Sequence, residues 1–172
     1  MNIAITGHTS GIGLAFYNKF IQLGHTVSGF SRSNGYDIST ISSSEFSQYD
    51  LFVNNAYHPI GQNRLLRELL TLWEGTDKCI LNISSNIVNV HTPMPDAIIE
   101  YKIVKHLANK IVNDYKGSVK ILNVLPDIVK TNFYLGGELL ESGMDPDYVV
   151  DITIKEISSG VKELIIKHPS WS

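Results

Sequence analysis

Cysteine is almost absent from this chain, because Cys79 is the only one among its 172 residues. A lone thiol excludes an intrachain disulfide and any metal site built from several cysteines. The six histidines are scattered, and none forms an HExxH pair. A chain without disulfides suits a reducing compartment, and we expect a cytoplasmic protein.

Long runs of one residue class are missing as well. The net charge is −3, with no basic or acidic block, so neither nucleic acid nor an anionic membrane surface is an expected partner. No apolar run approaches the roughly 18 residues that span a bilayer, and the N-terminus does not resemble a secretory signal. Hydrophobic residues make up 43% of the chain, which is enough for the core of one domain over residues 1–172.

Short apolar segments alternate with longer segments of helical periodicity. Apolar residues spaced three and four apart predict helices over residues 12–23, 63–73, 96–115 and 146–157. The short segments predict strands over residues 3–5, 27–30, 51–53, 79–83, 119–124 and 161–166, with a very short one over 36–38. This alternation is typical of an α/β protein. We expect a single Rossmann-like, doubly wound parallel sheet with helices on both faces.

A glycine-rich turn connects the first predicted strand to the first predicted helix. Residues 6–13 read T-G-H-T-S-G-I-G. Glycine permits positive φ and lets the main chain approach a phosphate closely, while the free N–H groups of a helix start attract anions. The turn therefore predicts a pyrophosphate site; an ordinary glycine-rich loop is the alternative.

Tyr101 and Lys105 lie four residues apart in a predicted helix, so they share a face. The lysine charge favours the tyrosinate and lowers a phenol pKa from its usual value of about 10. Such a phenol can exchange a proton with a carbonyl or alcohol oxygen. A half-buried ring beside a solvated lysine is the structural alternative.

With these motifs in this order, the chain resembles the short-chain dehydrogenase/reductase family nearly from end to end. Residues 6–13 match the family pattern T-G-x-x-x-G-I-G, and the tyrosine and lysine match Y-x-x-x-K. Residues 54–56 read N-N-A, residues 82–85 read N-I-S-S, and residues 126–131 are similar to P-G-x-V-x-T.

The resemblance implies a nicotinamide dinucleotide bound along these motifs. His8 either donates to the cofactor or is a bystander, and Ile38 either lies along the adenine or fills the core. The implied cofactor-binding residues are Gly7, His8, Thr9, Ser10, Gly11, Ile12, Gly13, Ser31, Arg32, Asp37, Ile38, Asn55, Ala56, Tyr101, Lys105, Pro126, Ile128 and Thr131.

The end of the second predicted strand points to NADP rather than NAD. An acidic residue usually reads the adenosine ribose of NAD at this position. Here Ser31 takes that position and Arg32 follows. Serine and arginine can both bind a 2′-phosphate, which a carboxylate would repel. A solvated loop arginine is the alternative for Arg32.

The resemblance also assigns the catalytic roles. Tyr101 is the general acid/base, Lys105 also binds the nicotinamide ribose, and Ser85 holds the substrate oxygen. Ser84 is expected to point to the opposite face of the strand. The family's fourth residue is an asparagine, and Asn63 either fills this role or caps the predicted helix that follows it.

Several positions depart from the family pattern. Tyr57 replaces the last glycine of N-N-A-G, and its ring either closes over the nicotinamide ribose or turns outward. Asp127 replaces the glycine of the last motif, while Thr131 remains able to bond the carboxamide. His58 is a possible functional substitute for the fourth catalytic residue. The segment between Arg32 and Asp37 has no room for the helix that normally joins the second and third strands.

A short substrate region is expected at about residues 131–146. Phe133, Tyr134 and Leu135 either line a site for a small, partly apolar carbonyl or alcohol or fill the core beneath the last helix. The predicted helices over residues 63–73 and 96–115 are candidate surfaces for a homodimer or homotetramer, but their apolar faces also suit packing on the sheet.

The resulting prediction is an NADP(H)-dependent oxidoreductase that moves a hydride between nicotinamide and a small carbonyl or alcohol substrate. The main alternative is a dinucleotide-binding regulator or partner-binding protein with little or no catalysis on a reduced scaffold. Epimerase or dehydratase chemistry, which uses the same tyrosine, lysine and serine, is the third possibility.

Overall fold

The computed structural model describes residues 1–131 and 142–170, and its centre is one sheet of parallel strands. In chain order these are β1 Asn2–Thr6, β2 Thr26–Phe30, β3 Leu51–Asn54, β4 Cys79–Ile83, β5 Lys120–Pro126 and β6 Glu163–Ile166. Their order across the sheet is β2-β1-β3-β4-β5-β6, and every pairing is parallel. The winding direction reverses between β1 and β3, and in such sheets ligands bind outside the carboxyl ends of the strands at this point.

Helices connect most of the strands, and each predicted helix is present with ends within two residues of the prediction. They are α1 Gly11–Gln22, α2 Gly61–Leu72, α3 Asp96–Asp114 and α4 Pro146–Glu156. Short 3₁₀ turns cover Arg32–Asn34, Ser43–Phe46 and Asn86–Asn89. Among the described residues, no helix combines the length and hydrophobicity of a membrane span.

The sheet is covered on both faces, as expected for a doubly wound fold. On one face, Phe16 and Phe20 of α1 and Val149 of α4 pack against alternate residues of the central strands. On the other face, the apolar sides of α2 and α3 pack against Phe52 and Ile80. The predicted fold class is confirmed.

The very short strand predicted over residues 36–38 is wrong. The backbone there is irregular and enters a turn at Ile38, because groups outside a neighbouring strand take up its hydrogen bonds. The Tyr36 amide donates to the Ser31 carbonyl at 2.9 Å, and the Asp37 carbonyl accepts from the Ile41 amide at 2.8 Å. The guanidinium of Arg64 in α2 donates to the carbonyls of Ile38 and Ile41 at 3.0 and 2.7 Å. The sheet therefore ends at β2, and no α-helix joins β2 to β3.

A row of asparagines crosses the sheet on the face covered by α2 and α3. Asn54, Asn82 and Asn123 lie in register on adjacent strands and are fully buried. The Asn54 amide donates to Asn82 at 2.9 Å, and the Asn82 amide donates to Asn123 at 2.7 Å. The Asn123 amide donates in turn to Asn109 of α3 at 2.9 Å. This row ties α3 to the three central strands and fixes the placement of that helix.

Candidate functional site

A cleft of about 1340 Å³ opens at the carboxyl edge of the sheet, around the reversal between β1 and β3. It runs from the glycine-rich turn to the segment after β5. It brings together most of the residues implied as cofactor contacts. Those in its lining are Gly7, Thr9, Ser10, Gly11, Ile12, Ser31, Arg32, Asp37, Ile38, Asn55, Ala56, Tyr101, Lys105, Pro126, Ile128 and Thr131.

The glycine-rich turn has the geometry that its glycines require. Gly7 and Gly11 have φ values of 69° and 53°, which side chains disfavour. A Cβ on Gly13 would lie only 2.2 Å from the carbonyl oxygen of Gly7. The Asn55 amide holds the turn by donating to the carbonyls of Thr6 and Gly7 at 3.1 and 3.2 Å. α1 begins at the turn without a side-chain cap, so its first amides are available to an anion.

Two predicted cofactor residues lie outside the cleft lining. Gly13 packs against the backbone of the turn. The His8 ring lies against Gly29, where an added Cβ would meet it at 2.2 Å, and against Tyr17 at 5.3 Å between ring centroids. Burial lowers the pKa of His8. His8 thus packs α1 against β2, and its contact with a cofactor stays a prediction.

Hydroxyl and amide groups surround the carboxyl end of β2. The Ser31 hydroxyl lies 2.8 Å from the Ser33 hydroxyl, and the Ser31 amide donates to Asn34 Oδ1 at 2.8 Å. Arg32 is exposed beside them. Asn34 also donates to the Gly29 carbonyl at 2.8 Å and so closes this turn.

Asp37 is the acid of the cleft lining that follows β2 in the chain, and its carboxylate already has hydrogen-bond partners. Its carboxylate accepts from the Ser39 amide and hydroxyl at 2.8 and 2.7 Å. These bonds, the backbone one foremost, hold the pKa of Asp37 below its usual value. The group therefore stays ionised and committed to its own turn.

Tyr101 and Lys105 lie on the same face of α3 and line the cleft. The Lys105 ammonium is buried and lies 5.3 Å from the Tyr101 ring centroid and 5.9 Å from that of Tyr57. The two tyrosine rings are 5.2 Å apart. Tyr57 therefore turns into the cleft rather than outward.

The Lys105 ammonium has two hydrogen-bond acceptors. It donates to the Ile83 carbonyl at 2.7 Å and to Gln62 Oε1 at 2.9 Å. Burial lowers its pKa to about 7. Gln62, in the first turn of α2, is a site residue that the sequence reasoning missed, although it directly precedes Asn63.

The two serines after β4 have different surroundings. The Ser84 hydroxyl is buried and donates to Asn109 of α3 at 2.6 Å. The Ser85 hydroxyl is half-buried, lines the cleft and accepts from the Ile87 amide at 3.3 Å. Ser85 is therefore the serine with a hydroxyl available to a ligand.

Asn63 does not line the cleft. Its side chain is buried and donates to the Val104 carbonyl of α3 at 3.0 Å. The alternative that Asn63 caps the helix is wrong, because α2 begins two residues earlier. Ile60 occupies the capping position, and the His58 Nδ1 accepts from the amides of Ile60 and Gly61 at 3.2 and 3.0 Å.

Asp127 holds a fixed carboxylate on the far wall of the cleft. One oxygen accepts from the Asn86 amide at 2.7 Å, and the other accepts from the His168 backbone at 2.9 Å. Both bonds tie the last motif to neighbouring loops. Pro126, Ile128 and Thr131 line the cleft beside it.

The remaining lining is largely apolar. Ile87, Val90 and Met94 come from the segment between β4 and α3, and Ile98 comes from the first turn of α3. Phe133, Tyr134 and Leu135, predicted to line a substrate site or fill the core, lie outside the described residues. Within the described part of the chain, no group of three or more His, Cys, Asp or Glu side chains could hold a metal ion.

No protein-family model matches the chain, and no curated protein matches it in sequence. Solved structures do match in fold. A short-chain dehydrogenase from Burkholderia cenocepacia in complex with NADP superposes with a TM-score of 0.80 at 16% identity, over 99% of this chain and 89% of that one. A short-chain dehydrogenase from Sphingobium yanoikuyae in complex with NADPH gives 0.73 at 18% identity, over 98% and 87%.

A third matching structure contains NADH rather than NADP or NADPH. The 3-ketoacyl-(acyl-carrier-protein) reductase from Brucella melitensis complexed with NADH superposes with a TM-score of 0.71 at 17% identity, over 96% of both chains. Identities this low establish the fold and nothing finer. The chain has the fold of the short-chain dehydrogenases/reductases, and the resemblance that its motifs predicted is confirmed at that level.

Proposed function

We propose that this protein is an NADP(H)-dependent oxidoreductase of the short-chain dehydrogenase/reductase type that acts on a small carbonyl or alcohol substrate. One observation carries the proposal: α3 places Tyr101 and a buried Lys105 in the same cleft as the glycine-rich turn. The solved structures of the same fold include dehydrogenases in complex with NADP, NADPH and NADH.

The cleft fits a dinucleotide. The glycine-rich turn leaves no room for a side chain at Gly13 and little at Gly7, and α1 presents uncapped amides to a pyrophosphate. Ser31 and Arg32 lie at the adenosine end, and Lys105 and Thr131 lie at the nicotinamide end. When bound, the cofactor supplies the hydride chemistry.

The choice of NADP over NAD depends on the residues after β2. Arg32 is exposed at the cleft, and the hydroxyls of Ser31 and Ser33, which bond to each other at 2.8 Å, lie beside it. The one acid nearby, Asp37, is held by Ser39. A 2′-phosphate would therefore meet one positive charge and two hydroxyls.

Tyr101 holds the proton that the substrate oxygen gains or loses. The Lys105 ammonium beneath its ring favours the tyrosinate. The Ser85 hydroxyl donates a hydrogen bond to the same substrate oxygen and orients it. Ile87, Val90, Met94 and Ile98 exclude water around the reacting carbon and favour a partly apolar substrate.

The decisive experiment replaces Tyr101 with Phe. We expect turnover of carbonyl compounds with NADPH to fall by about 10²–10⁴-fold, because the proton donor is lost. The NADPH dissociation constant and the melting temperature should stay close to the wild-type values. Tyr148→Phe, at an exposed position of α4, is the matched control and should leave turnover unchanged. Full activity of Tyr101→Phe would contradict the proposal.

A second function is a dinucleotide-binding regulator that does not turn over substrate. It is favoured by the position of Asn63, whose side chain lies outside the cleft and bonds to the backbone of α3. This alternative predicts NADPH binding without turnover on a broad carbonyl panel, and binding that is indifferent to Tyr101→Phe.

We also propose that the protein forms a homodimer or homotetramer through α3. Ile99, Ile103 and Leu107 recur every four residues on this helix and are 42%, 62% and 39% exposed. An apolar row of this kind on a surface helix suits a second copy of the same helix. The expectation of a cytoplasmic protein stays a prediction.

A further inference from the structure

Lys105 has an unusual set of partners for a buried cation. Within residues 1–131 and 142–170, its ammonium has one side-chain acceptor, Gln62 Oε1 at 2.9 Å, and one backbone acceptor, the Ile83 carbonyl at 2.7 Å. No carboxylate forms an ion pair with it among these residues. The titratable groups that face it are the phenols of Tyr57 and Tyr101, whose rings lie within 6 Å. Both groups that accept a hydrogen bond from the ammonium are therefore neutral.

The Gln62 amide is locked in one orientation. Its Nε2 donates to the carbonyls of Asn54 and Ile83 at 3.1 and 3.0 Å. A flipped amide would turn its oxygen toward these two carbonyls and its NH₂ group toward the ammonium, so that every contact would be repulsive. The Asn54 amide also donates to the Gln62 carbonyl at 3.1 Å. Gln62 is fully buried, and its Oε1 has one possible direction, toward Lys105.

We propose that Gln62 is a positioning residue for Lys105, whose neutral amide oxygen holds the ammonium beneath Tyr101 without cancelling its charge. The effect of Gln62 on turnover rests on the proposed oxidoreductase function, whereas the contact between Gln62 and Lys105 does not. A neutral acceptor orients a cation and leaves its field to act on the phenol. A carboxylate at the same point would neutralise part of that field.

The amide also connects the reacting group to the core of the sheet. Gln62 bonds to Asn54, the first member of the asparagine row that continues through Asn82 and Asn123. The row ends on Asn109 of α3, one turn beyond Lys105. One continuous set of hydrogen bonds therefore connects Gln62, which accepts from the ammonium, to the helix that carries Lys105.

The contact can be tested without turnover. In protein labelled with ¹³C-lysine, the Lys105 side-chain signal is assigned by its loss in Lys105→Met and then titrated. In Gln62→Met the midpoint should fall by about 1–2 pH units, the equivalent of a hydrogen bond to a charged group. In Gln62→Glu it should rise, because a carboxylate favours the ammonium. Asn109→Leu, which breaks the same network away from the ammonium, is the matched control and should leave the midpoint near its wild-type value.

Turnover with NADPH adds a second measurement. Both Gln62 variants should lower kcat by about tenfold or more and should shift the pH profile in opposite directions, in step with the titration. Asn109→Leu should lower the melting temperature without moving the profile. If neither Gln62 variant moves the midpoint further than Asn109→Leu does, the proposal is overturned. If the midpoints move but no variant, nor the wild type, turns over carbonyl substrates, the positioning role stands and the oxidoreductase function fails.

Discussion

At the scale of single residues, Lys105 is the most informative side chain. Its ammonium is buried with no anionic partner among the described residues, and burial lowers its pKa to about 7. Keeping Lys105 protonated therefore lowers the stability of the folded protein. The charge is retained because it lies beneath Tyr101, where a positive charge has a use.

This lysine makes stability depend on pH. Its pKa is about 7 in the folded state against 10.5 ordinarily, so between these values the unfolded chain binds more protons than the folded one. Stability should therefore rise with pH across this window, by up to about 1.4 kcal/mol per pH unit. Urea unfolding without cofactor measures this rise, which should be smaller in Lys105→Met. Equal slopes in both proteins would show that Lys105 is charged throughout.

Arg32 is the residue on which cofactor choice depends. We expect Arg32→Ala to weaken NADPH binding by about 10–100-fold, because one charge-assisted hydrogen bond is lost. NADH binding should change little, since NADH lacks the 2′-phosphate. Fluorescence titration with both cofactors measures the two affinities, and Lys130→Ala, an exposed cation after β5, is the control. An equal loss for both cofactors would contradict the predicted role of Arg32.

At the scale of elements, the start of α2 supports the loop between β2 and β3, which contains no α-helix and no strand. Arg64 binds the carbonyls of Ile38 and Ile41 and also pairs with Glu68. Gly61 allows the Ile38 carbonyl to approach, because an added Cβ would lie 2.5 Å from that oxygen. α2 thus holds the loop that carries Asp37 and Ile38, although no strand supports that loop.

Removing this support should affect the adenosine end of the cleft. We expect Arg64→Met to lower stability by about 1–3 kcal/mol, because two buried carbonyls lose their donor. NADPH affinity should fall by about tenfold, since the loop must then be ordered on binding. Calorimetry gives both quantities. Arg67→Met, one turn along α2 and exposed, should change neither, and an unchanged affinity in Arg64→Met would show that the loop is ordered without its anchor.

At the scale of the whole molecule, the apolar row of Ile99, Ile103 and Leu107 on α3 stays exposed in the single chain. Ile103→Glu places a charge in the middle of this row and should shift the protein toward the monomer, because burying an unpaired carboxylate is costly. Light scattering after size-exclusion chromatography measures the mass. Ile21→Glu, on the exposed side of α1, is the matched control. A monomeric wild type, or an oligomer indifferent to Ile103→Glu, would exclude this surface.

Much of the architecture could be predicted from local pattern. The periodicity around Phe16 and Phe20 in α1, and around Leu65 and Leu69 in α2, was sufficient to predict those helices because one face of each is buried. The strand predicted over residues 36–38 failed because its backbone groups bond within nearby turns and to Arg64, which lies 26 residues beyond Ile38. Periodicity carries no information about such distant donors.

The sequence by itself determined the order of strands and helices, the glycine-rich turn and the shared face of Tyr101 and Lys105. These features depend on residues within one or two turns of each other, so local chemistry is enough. Only the tertiary structure decided that Gln62, 43 residues before Lys105, accepts a hydrogen bond from its ammonium, and that Asn63 bonds to the Val104 carbonyl instead of capping α2. Such contacts arise when the parallel sheet brings the carboxyl ends of separate strands together, and no pattern along the chain encodes the distances between them.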